Sequence, residues 1–149
     1  MLGYWNRPEE TALALRGGWM HTGDVGRLDD EGFLYVVDRV KDVIFSGGQN
    51  VYSAEVEQVV ARHPAVAACA VIGVPDADWG ERVHAVVVLE SGQAASADDI
   101  RAHCKAQIGG HKCPRSVEFV AQLPLSGAGK VLKTKLRQPH WARRERQVA

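Results

Sequence analysis

The fold is decided by residues 66–89, which read VAACAVIGVPDADWGERVHAVVVL. Residues 66–74 and 83–89 are short, mainly apolar runs, and each is bounded by turn-forming residues. Runs of this length and composition are typical of buried β-strands. Pro75 begins a turn that ends near Gly80. The stretch therefore predicts two core strands joined by a short turn.

The segment before these strands predicts a strand, a tight loop and a helix. Residues 43–45 (VIF) form a short apolar run. Residues 46–50 (SGGQN) follow as a loop, because paired glycines permit positive φ. Ser53 is a suitable N-cap for a helix that extends to about Arg62.

The segment after the two strands predicts a second helix and a third core strand. Ser96 is the predicted N-cap of the second helix, and Asp99, three residues further along the chain, completes a capping box. Gly109 and Gly110 end this helix. Residues 116–120 (SVEFV) form the strand. A loop and a basic tail follow, and we expect Arg143–Arg146 to be a solvated helix or a frayed end.

The first part of the chain predicts a separate β-hairpin over residues 26–38. Its turn is residues 29–32 (DDEG), with Asp at the first position and Gly at the fourth, as a type I turn prefers. Residues 33–37 (FLYVV) predict a buried strand. The charged segment 38–42 (DRVKD) follows, and it is the expected boundary between two units.

Composition and charge exclude several classes of protein. The chain has 149 residues, of which 46% are hydrophobic and 24% are charged, as in ordinary globular domains. Eighteen basic residues balance 18 acidic ones, whereas a nucleic-acid binder usually shows a basic excess. No apolar run is long enough for a transmembrane helix, and the N-terminus lacks the pattern of a signal peptide. We therefore expect a cytoplasmic protein without a nucleic-acid partner.

Cysteines and histidines do not form a recognisable metal or disulfide pattern. The three cysteines, Cys69, Cys104 and Cys113, are too few and too widely spaced for a disulfide scaffold. His111 lies close to Cys113, but the sequence contains neither a CxxC nor an HxxxH pair. The sequence therefore predicts no metal site.

Two glycine-rich segments each have two interpretations. Residues 126–130 (SGAGK) do not form a Walker phosphate loop, because Pro124 and Val131 stand where that motif needs Gly and Ser or Thr. Lys130 is then either a solvated loop lysine or a mobile charge that contacts an anion. Residues 47–50 (GGQN) are either a simple turn or a backbone that a ligand approaches closely.

Asp24 and Arg39 are also ambiguous when each is taken alone. Asp24 lies in a Thr-Gly-Asp sequence, which favours either an Asx-type turn or a carboxylate that binds ribose hydroxyls. Arg39 follows an aspartate, and a surface ion pair explains it equally well.

Seven motifs occur in one order at one spacing, and together they are far more specific than any one alone. In chain order they are GYWNRPEET (3–11), GWMHTGDVG (18–26), DRVKD (38–42), SGGQNVYSAEVE (46–57), HPAV (63–66), VPDADWGE (74–81) and LPLSGAGKVLKTKLR (123–137). In these seven motifs, in their order and in their spacing, the chain resembles the C-terminal end of an adenylate-forming enzyme. That superfamily contains acyl-CoA synthetases, peptide-synthetase adenylation domains and luciferases, and fatty-acyl and aryl CoA ligases resemble the chain best.

The resemblance implies an α+β fold with a small, mainly antiparallel β-sheet and flanking helices, preceded by a short β-hairpin. It also implies four segments. Residues 1–38 would be the distal end of a large N-terminal AMP-binding domain, residues 39–42 a hinge, residues 43–138 a mobile C-terminal domain and residues 139–149 a tail.

The resemblance assigns three residues to the nucleotide. Asp24 matches the family residue that hydrogen-bonds the ribose hydroxyls of ATP or AMP, and Arg39 matches an arginine that also reaches the ribose. Lys130 matches the catalytic lysine of the adenylation step. A positioned lysine suits that step, because negative charge builds on the phosphate oxygens as pyrophosphate leaves.

The resemblance assigns the remaining site residues to the second reaction and to the movement between the two. Lys41 falls at the family's hinge. Gly47, Gly48 and Gln49 match the loop that lines the pantetheine tunnel of CoA. The implied co-substrates are ATP, with Mg²⁺ held by ATP, then CoA and a carboxylic acid.

The implied function is therefore that of an ATP-dependent acid–CoA ligase. The family's phosphate loop, adenine-binding segment and acyl pocket have no counterpart in these residues, so we expect a part of a longer protein that is inactive alone. The acyl substrate stays open. The alternatives are a non-catalytic binding or regulatory module that kept the fold, or an adenylation domain from another branch of the superfamily.

Overall fold

The polypeptide divides within the charged segment 38–42. In the structure, a computed structural model that describes residues 1–142, one unit comprises Met1–Lys41 and a second begins at Asp42. Among the described residues, no helix combines the length and the apolar character that crossing a membrane requires.

The first unit contains a short helix and a two-stranded antiparallel hairpin. Helix α1 spans Pro8–Ala14, and the strands are β1 (Asp24–Leu28) and β2 (Leu34–Arg39). The predicted turn is confirmed, since the amide of Gly32 donates to the carbonyl of Asp29 at 3.1 Å.

The expected burial of residues 33–37 is wrong in this unit. Phe33, Leu34 and Val36 are each at least 60% exposed. The physical reason is that a hairpin of two strands has no second layer of its own to cover either face. The apolar run correctly indicated a strand, but its burial depends on what packs against it.

The second unit is an α+β domain built on a five-stranded sheet. Its elements, in chain order, are β3 (Ile44–Ser46), β4 (Gln49–Val51), α2 (Ser53–Val60), β5 (Val66–Asp76), β6 (Gly80–Leu89), α3 (Ala97–Lys105), β7 (Ser116–Phe119) and α4 (Lys133–Trp141). The two strands predicted from residues 66–89 are confirmed and run longer than expected, to Asp76 and from Gly80.

Strand β6 joins the parts of this sheet. It pairs with β5 in antiparallel register from Asp76↔Gly80 to Val66↔Leu89. It also meets β3 at Ser46↔Gly80 and runs parallel to β7 from His84↔Ser116. Because the other pairings are antiparallel, the predicted small, mainly antiparallel sheet is confirmed.

Helices α2 and α3 cover one face of the sheet. Side chains of alternate strand residues form the core on that face, because successive strand side chains point to opposite faces. The buried cluster comprises Ile44, Val51, Val56, Val59, Val60, Val66, Val71, Val83, Ala85, Val87, Ile100 and Cys104. The capping box of α3 is confirmed: Ser96 Oγ accepts from the amide of Asp99, whose carboxylate accepts from the amide of Ser96.

Helix α4 lies against β5 and was not predicted as a helix. Lys133, Arg137 and Trp141 are spaced four residues apart and therefore share one face. Lys133 Nζ contacts Glu57 Oε1 at 2.7 Å, and Trp141 Nε1 donates to the carbonyl of Gly73 at 3.0 Å. Arg137 contacts Asp42 at 2.7 Å in a buried ion pair.

This helix continues beyond residue 138, where the sequence suggested that a tail begins. The inward face of α4 is polar and aromatic, so the sequence lacks the apolar periodicity that marks a helix. The expected helix or frayed end at Arg143–Arg146 lies outside the described residues.

Two local predictions around the glycine pair are corrected. Residues 46–50 are not a single loop: Gly47 and Gly48 form a two-residue hairpin turn, and Gln49 already lies on β4. The N-cap of α2 is Tyr52 rather than Ser53, whose hydroxyl instead accepts from Lys133 Nζ at 2.8 Å. The side chain of Ser53 therefore serves a tertiary contact that sequence alone does not reveal.

A buried carboxylate explains why position 73 of β5 is glycine. Glu81 is 5% exposed, and its Oε2 accepts from the amide of Phe45 at 3.1 Å. A Cβ atom at Gly73 would overlap this carboxylate. The small residue therefore leaves room for the group that satisfies a β3 amide.

We predict that Gly73→Ala lowers the free energy of unfolding by about 1–3 kcal/mol, because displacing Glu81 leaves buried polar groups without partners. Urea denaturation monitored by circular dichroism measures this change. Gly110→Ala is the matched control, since a Cβ there has no neighbour within 4 Å and the backbone does not need a positive φ. Equal stability of the two variants would contradict the assigned role of Gly73.

Candidate functional site

Asp24 and Arg39 are brought together by the hairpin of the first unit. They are register partners at the ends of β1 and β2, and Arg39 Nε lies 3.3 Å from Asp24 Oδ1. The Asp24 amide donates to Thr22 Oγ1 at 3.1 Å, which holds the start of β1 in a turn. The Arg39 side chain is 55% exposed, so the pair remains open to solvent and contributes little to stability.

A cavity of about 610 Å³ lies beside Asp24 within this unit. Its lining includes Tyr4, His21, Thr22 and Gly23. Asp24 therefore lines a concave surface to which aromatic, imidazole and hydroxyl residues also contribute. Such a surface is suited to a small polar ligand.

The Gly47–Gly48 turn projects from the edge of the second unit's sheet. The two residues have φ of +59° and +76°, the geometry of a type I′ hairpin turn. The amide of Gly47 donates to the carbonyl of Trp79 at 3.0 Å, and a Cβ at Gly47 would overlap the Trp79 ring. Gly48, by contrast, has open space in front of it.

Trp79, in the turn between β5 and β6, is held by a hydrogen bond of its backbone and by a cation–π contact of its ring. Its amide donates to Asp76 Oδ1 at 3.2 Å, and the guanidinium carbon of Arg115 lies 4.0 Å from the ring centre. The glycine turn therefore packs on an anchored aromatic ring. Gln49 follows it on β4 as an exposed residue, opposite Ser46.

Lys130 is presented by a tight turn between β7 and α4. The amide of Ser126 donates to the carbonyl of Lys130 at 2.8 Å, and the Lys130 amide donates to Ser126 Oγ at 3.1 Å. Leu125 and Val131 form an isolated β-bridge on either side. The Lys130 side chain is exposed and has no hydrogen bond or ion pair with any of residues 1–142.

Lys41 lies on a short 3-10 turn, Val40–Asp42, at the division between the two units. The next residue, Asp42, is tied to the second unit by its ion pair with Arg137. The backbone between Lys41 and Asp42 is therefore the point at which contacts change from one unit to the other.

The three thiols are poor nucleophiles in this structure. Burial raises the pKa of the Cys69 thiol to about 12 and that of Cys104 to about 11. Burial also raises the pKa of Cys113. Because the thiolate is the reactive form, these cysteines are structural at neutral pH.

Sequence reasoning missed one cluster of chemically competent side chains. His84 on β6, Glu118 on β7 and His140 on α4 each offer a ligand atom, and these atoms lie within 4.8 Å of one another. The three residues lie on separate elements, so no spacing in the sequence indicates the cluster. The parallel pairing of β6 with β7 and the unexpected helix α4 bring them together.

Comparison with known proteins identifies the same family as the motifs. The sequence profile of the AMP-binding enzyme C-terminal domain matches residues 55–130, half of the chain. A feruloyl-CoA synthase from Amycolatopsis sp is 51% identical over 138 residues, which are 93% of this chain and 28% of that protein. A long-chain-fatty-acid–CoA ligase from Bacillus subtilis (strain 168) is 46% identical over 136 residues, covering 91% of this chain and 24% of that protein.

Solved structures agree with this result. The o-succinylbenzoate CoA synthetase (MenE) from Bacillus subtilis, in complex with the acyl-adenylate intermediate OSB-AMP, is similar with a TM-score of 0.84 at 39% identity. The similarity covers 99% of this chain and 29% of that one. The chain thus spans about a quarter of the length of these relatives, and it belongs to the AMP-binding enzyme C-terminal domain family of the adenylate-forming superfamily.

Proposed function

We propose that this chain is the C-terminal part of an ATP-dependent acid–CoA ligase. Such a ligase joins a carboxylate to AMP with release of pyrophosphate, and CoA then attacks the adenylate to give a thioester and AMP. The observation that carries this proposal is the 51% identity with a feruloyl-CoA synthase over 93% of the chain. The acyl-adenylate complex of MenE supports the same chemistry.

The acid is proposed to be a fatty or an aryl acid. The two relatives support this range, since one is named for an aromatic acid and the other for long-chain fatty acids. The two relatives are 51% and 46% identical to this chain, so sequence identity does not distinguish an aryl acid from a fatty acid. We propose that residues outside these 149 select the acid. The main partner of this chain would be the large N-terminal AMP-binding domain of the same enzyme.

Asp24, Arg39 and Lys130 are proposed to act on the nucleotide. Asp24 would accept hydrogen bonds from the ribose hydroxyls of ATP and AMP, with Arg39 beside it. Lys130 would stabilise the charge that develops on the α-phosphate, while Mg²⁺ accompanies ATP. The exposed position of Lys130, without an ion pair among the described residues, supports this role because its charge is not already neutralised.

Gly47, Gly48 and Gln49 are proposed to line the path of the CoA pantetheine. The absence of side chains at the turn supports this role, since a narrow chain can pass close to its backbone. Lys41 is proposed as the hinge about which residues 43–138 rotate between the two reactions. The division of contacts between Lys41 and Asp42 supports a pivot at this point.

The first expected outcome separates this chain from a complete ligase. We expect the 149 residues alone to release no pyrophosphate from ATP with a panel of fatty and aryl acids, because the family resemblance places the segments that position the adenine and the acid outside these residues. Turnover comparable to that of a complete ligase would contradict this expectation.

In a complete ligase that carries this chain, we expect Lys130→Ala to slow adenylation by about 10²–10³-fold. Thioester formation from supplied acyl-adenylate and CoA should remain near the unsubstituted rate. Pyrophosphate release and thioester formation measure the two half-reactions separately. Lys135→Ala, at an exposed lysine of α4, is the matched control and should change neither.

An equal loss in both half-reactions would overturn the role given to Lys130. If neither half-reaction occurs in the unsubstituted protein, the non-catalytic module becomes the better description of this chain.

We expect Gly48→Asn to slow thioester formation by at least about tenfold while adenylation persists. Asparagine tolerates positive φ, so the turn is kept while a side chain enters the proposed pantetheine path. Gly92→Asn is the matched control, because Gly92 has φ +77° and open space at a different turn. Normal CoA kinetics in Gly48→Asn would contradict the proposed role, and Gly47 and Gly48 would then be only a hairpin turn.

A further inference from the structure

A second cluster of side chains lies on the second unit and takes no part in the proposed ligase chemistry. His84 Nε2 lies 3.4 Å from Glu118 Oε2, and the rings of His84 and His140 are 5.1 Å apart between centroids. One ligand atom from each of the three residues falls within 4.8 Å of the others.

The buried member of this cluster lacks a hydrogen-bond partner at the atom that faces the other two. The His84 side chain is only 8% exposed, and its Nε2 atom has no hydrogen bond in the described structure. Its other nitrogen, Nδ1, lies 2.7 Å from Ser116 Oγ. Glu118 Oε2 lies 3.4 Å from His84 Nε2 but does not complete a hydrogen bond with it. A ligand bound there would therefore remove the cost of leaving a buried polar atom without a partner.

We propose that His84, Glu118 and His140 bind a divalent transition-metal ion of the Zn²⁺ type. Two imidazoles and one carboxylate suit this class of ion, whereas Mg²⁺ and Ca²⁺ prefer oxygen ligands alone. Zinc bonds of about 2.0–2.1 Å in a tetrahedron separate the ligand atoms by about 3.3 Å. The distance from His84 Nε2 to Glu118 Oε2 already has this length, at 3.4 Å.

The remaining ligand distances close by small rotations of exposed side chains. Glu118 and His140 are both exposed, so their side chains adjust at little cost. His84 is the fixed member, because Ser116 orients its ring through Nδ1, as an outer hydrogen bond commonly does for a metal-binding histidine.

The proposed ion would connect three elements of the second unit. His84 lies on β6, Glu118 on β7 and His140 near the end of α4. A cavity of about 540 Å³ borders His140 and is also lined by Asp76, Arg82 and Pro139. Metal binding would therefore pin the end of α4 to the sheet.

Titration of the 149-residue chain with Co²⁺ tests the site directly. We expect visible absorption bands of a low-coordinate Co²⁺ site without a thiolate charge-transfer band, because the ligands are nitrogen and oxygen. Zn²⁺ should remove these bands and raise Tm by roughly 5–10 °C at a free concentration of about 100 Kd. A thiolate band would overturn the proposal, since the ion would then be on a cysteine.

Two exposed ligands provide variants that should keep the fold. We expect His140→Ala to weaken Co²⁺ and Zn²⁺ binding at least tenfold and to reduce the rise in Tm at the same Zn²⁺ concentration to about half or less. We expect Glu118→Gln to weaken binding in the same direction. His111→Ala removes an exposed histidine outside the cluster and should bind as the unsubstituted chain does. Unchanged affinity in His140→Ala, or an equal loss in His111→Ala, would overturn the proposal. Circular dichroism confirms that each variant is folded.

Discussion

The antiparallel pairing of β5 with β6 is the constraint on which the second unit depends. Strand β6 gives one edge to β5 and the other to β3 and β7, so the position of each smaller strand follows from it. The turn of this hairpin also carries Trp79, which packs against Gly47. The glycine turn proposed to meet CoA is therefore positioned by the tip of the central hairpin. Of the residues with proposed roles, Gly47, Gly48 and Lys130 lie on turns of the second unit.

Polar contacts attach α4 to this sheet. Lys133 reaches Glu57, whose Oε1 also accepts from the amide of Val71 at 2.7 Å. Glu57 and Trp141 thereby satisfy backbone groups on the outer edge of β5, an edge that would otherwise be open to another strand. Buried charged contacts of this kind are sensitive to the loss of one partner, so they define position more than they add stability.

The same helix influences both proposed sites. The turn that presents Lys130 ends where the amide of Leu132 donates to the carbonyl of Pro124 at 2.8 Å, immediately before α4 begins. At its other end α4 supplies His140 to the cluster with His84 and Glu118. A metal ion at that cluster would hold the end of α4, while the catalytic role is proposed for the turn before its first residue. The Lys130 turn and the His84–Glu118–His140 cluster thus lie at opposite ends of α4.

The sequence by itself determined the features that rest on local patterns. The strands within residues 66–89, the capping box of Ser96 with Asp99 and the turn at residues 29–32 follow from residue types at short spacing. The ordered motifs also indicated the family, although the roles of Lys130 and Gly48 remain proposals. Only the tertiary structure decided the exposure of residues 33–37, the helix α4 and the meeting of His84 with His140. The physical reason is that the burial of a strand and the meeting of side chains depend on residues distant in the chain. The inner face of α4 is polar, so its sequence lacks the apolar periodicity by which a helix is predicted.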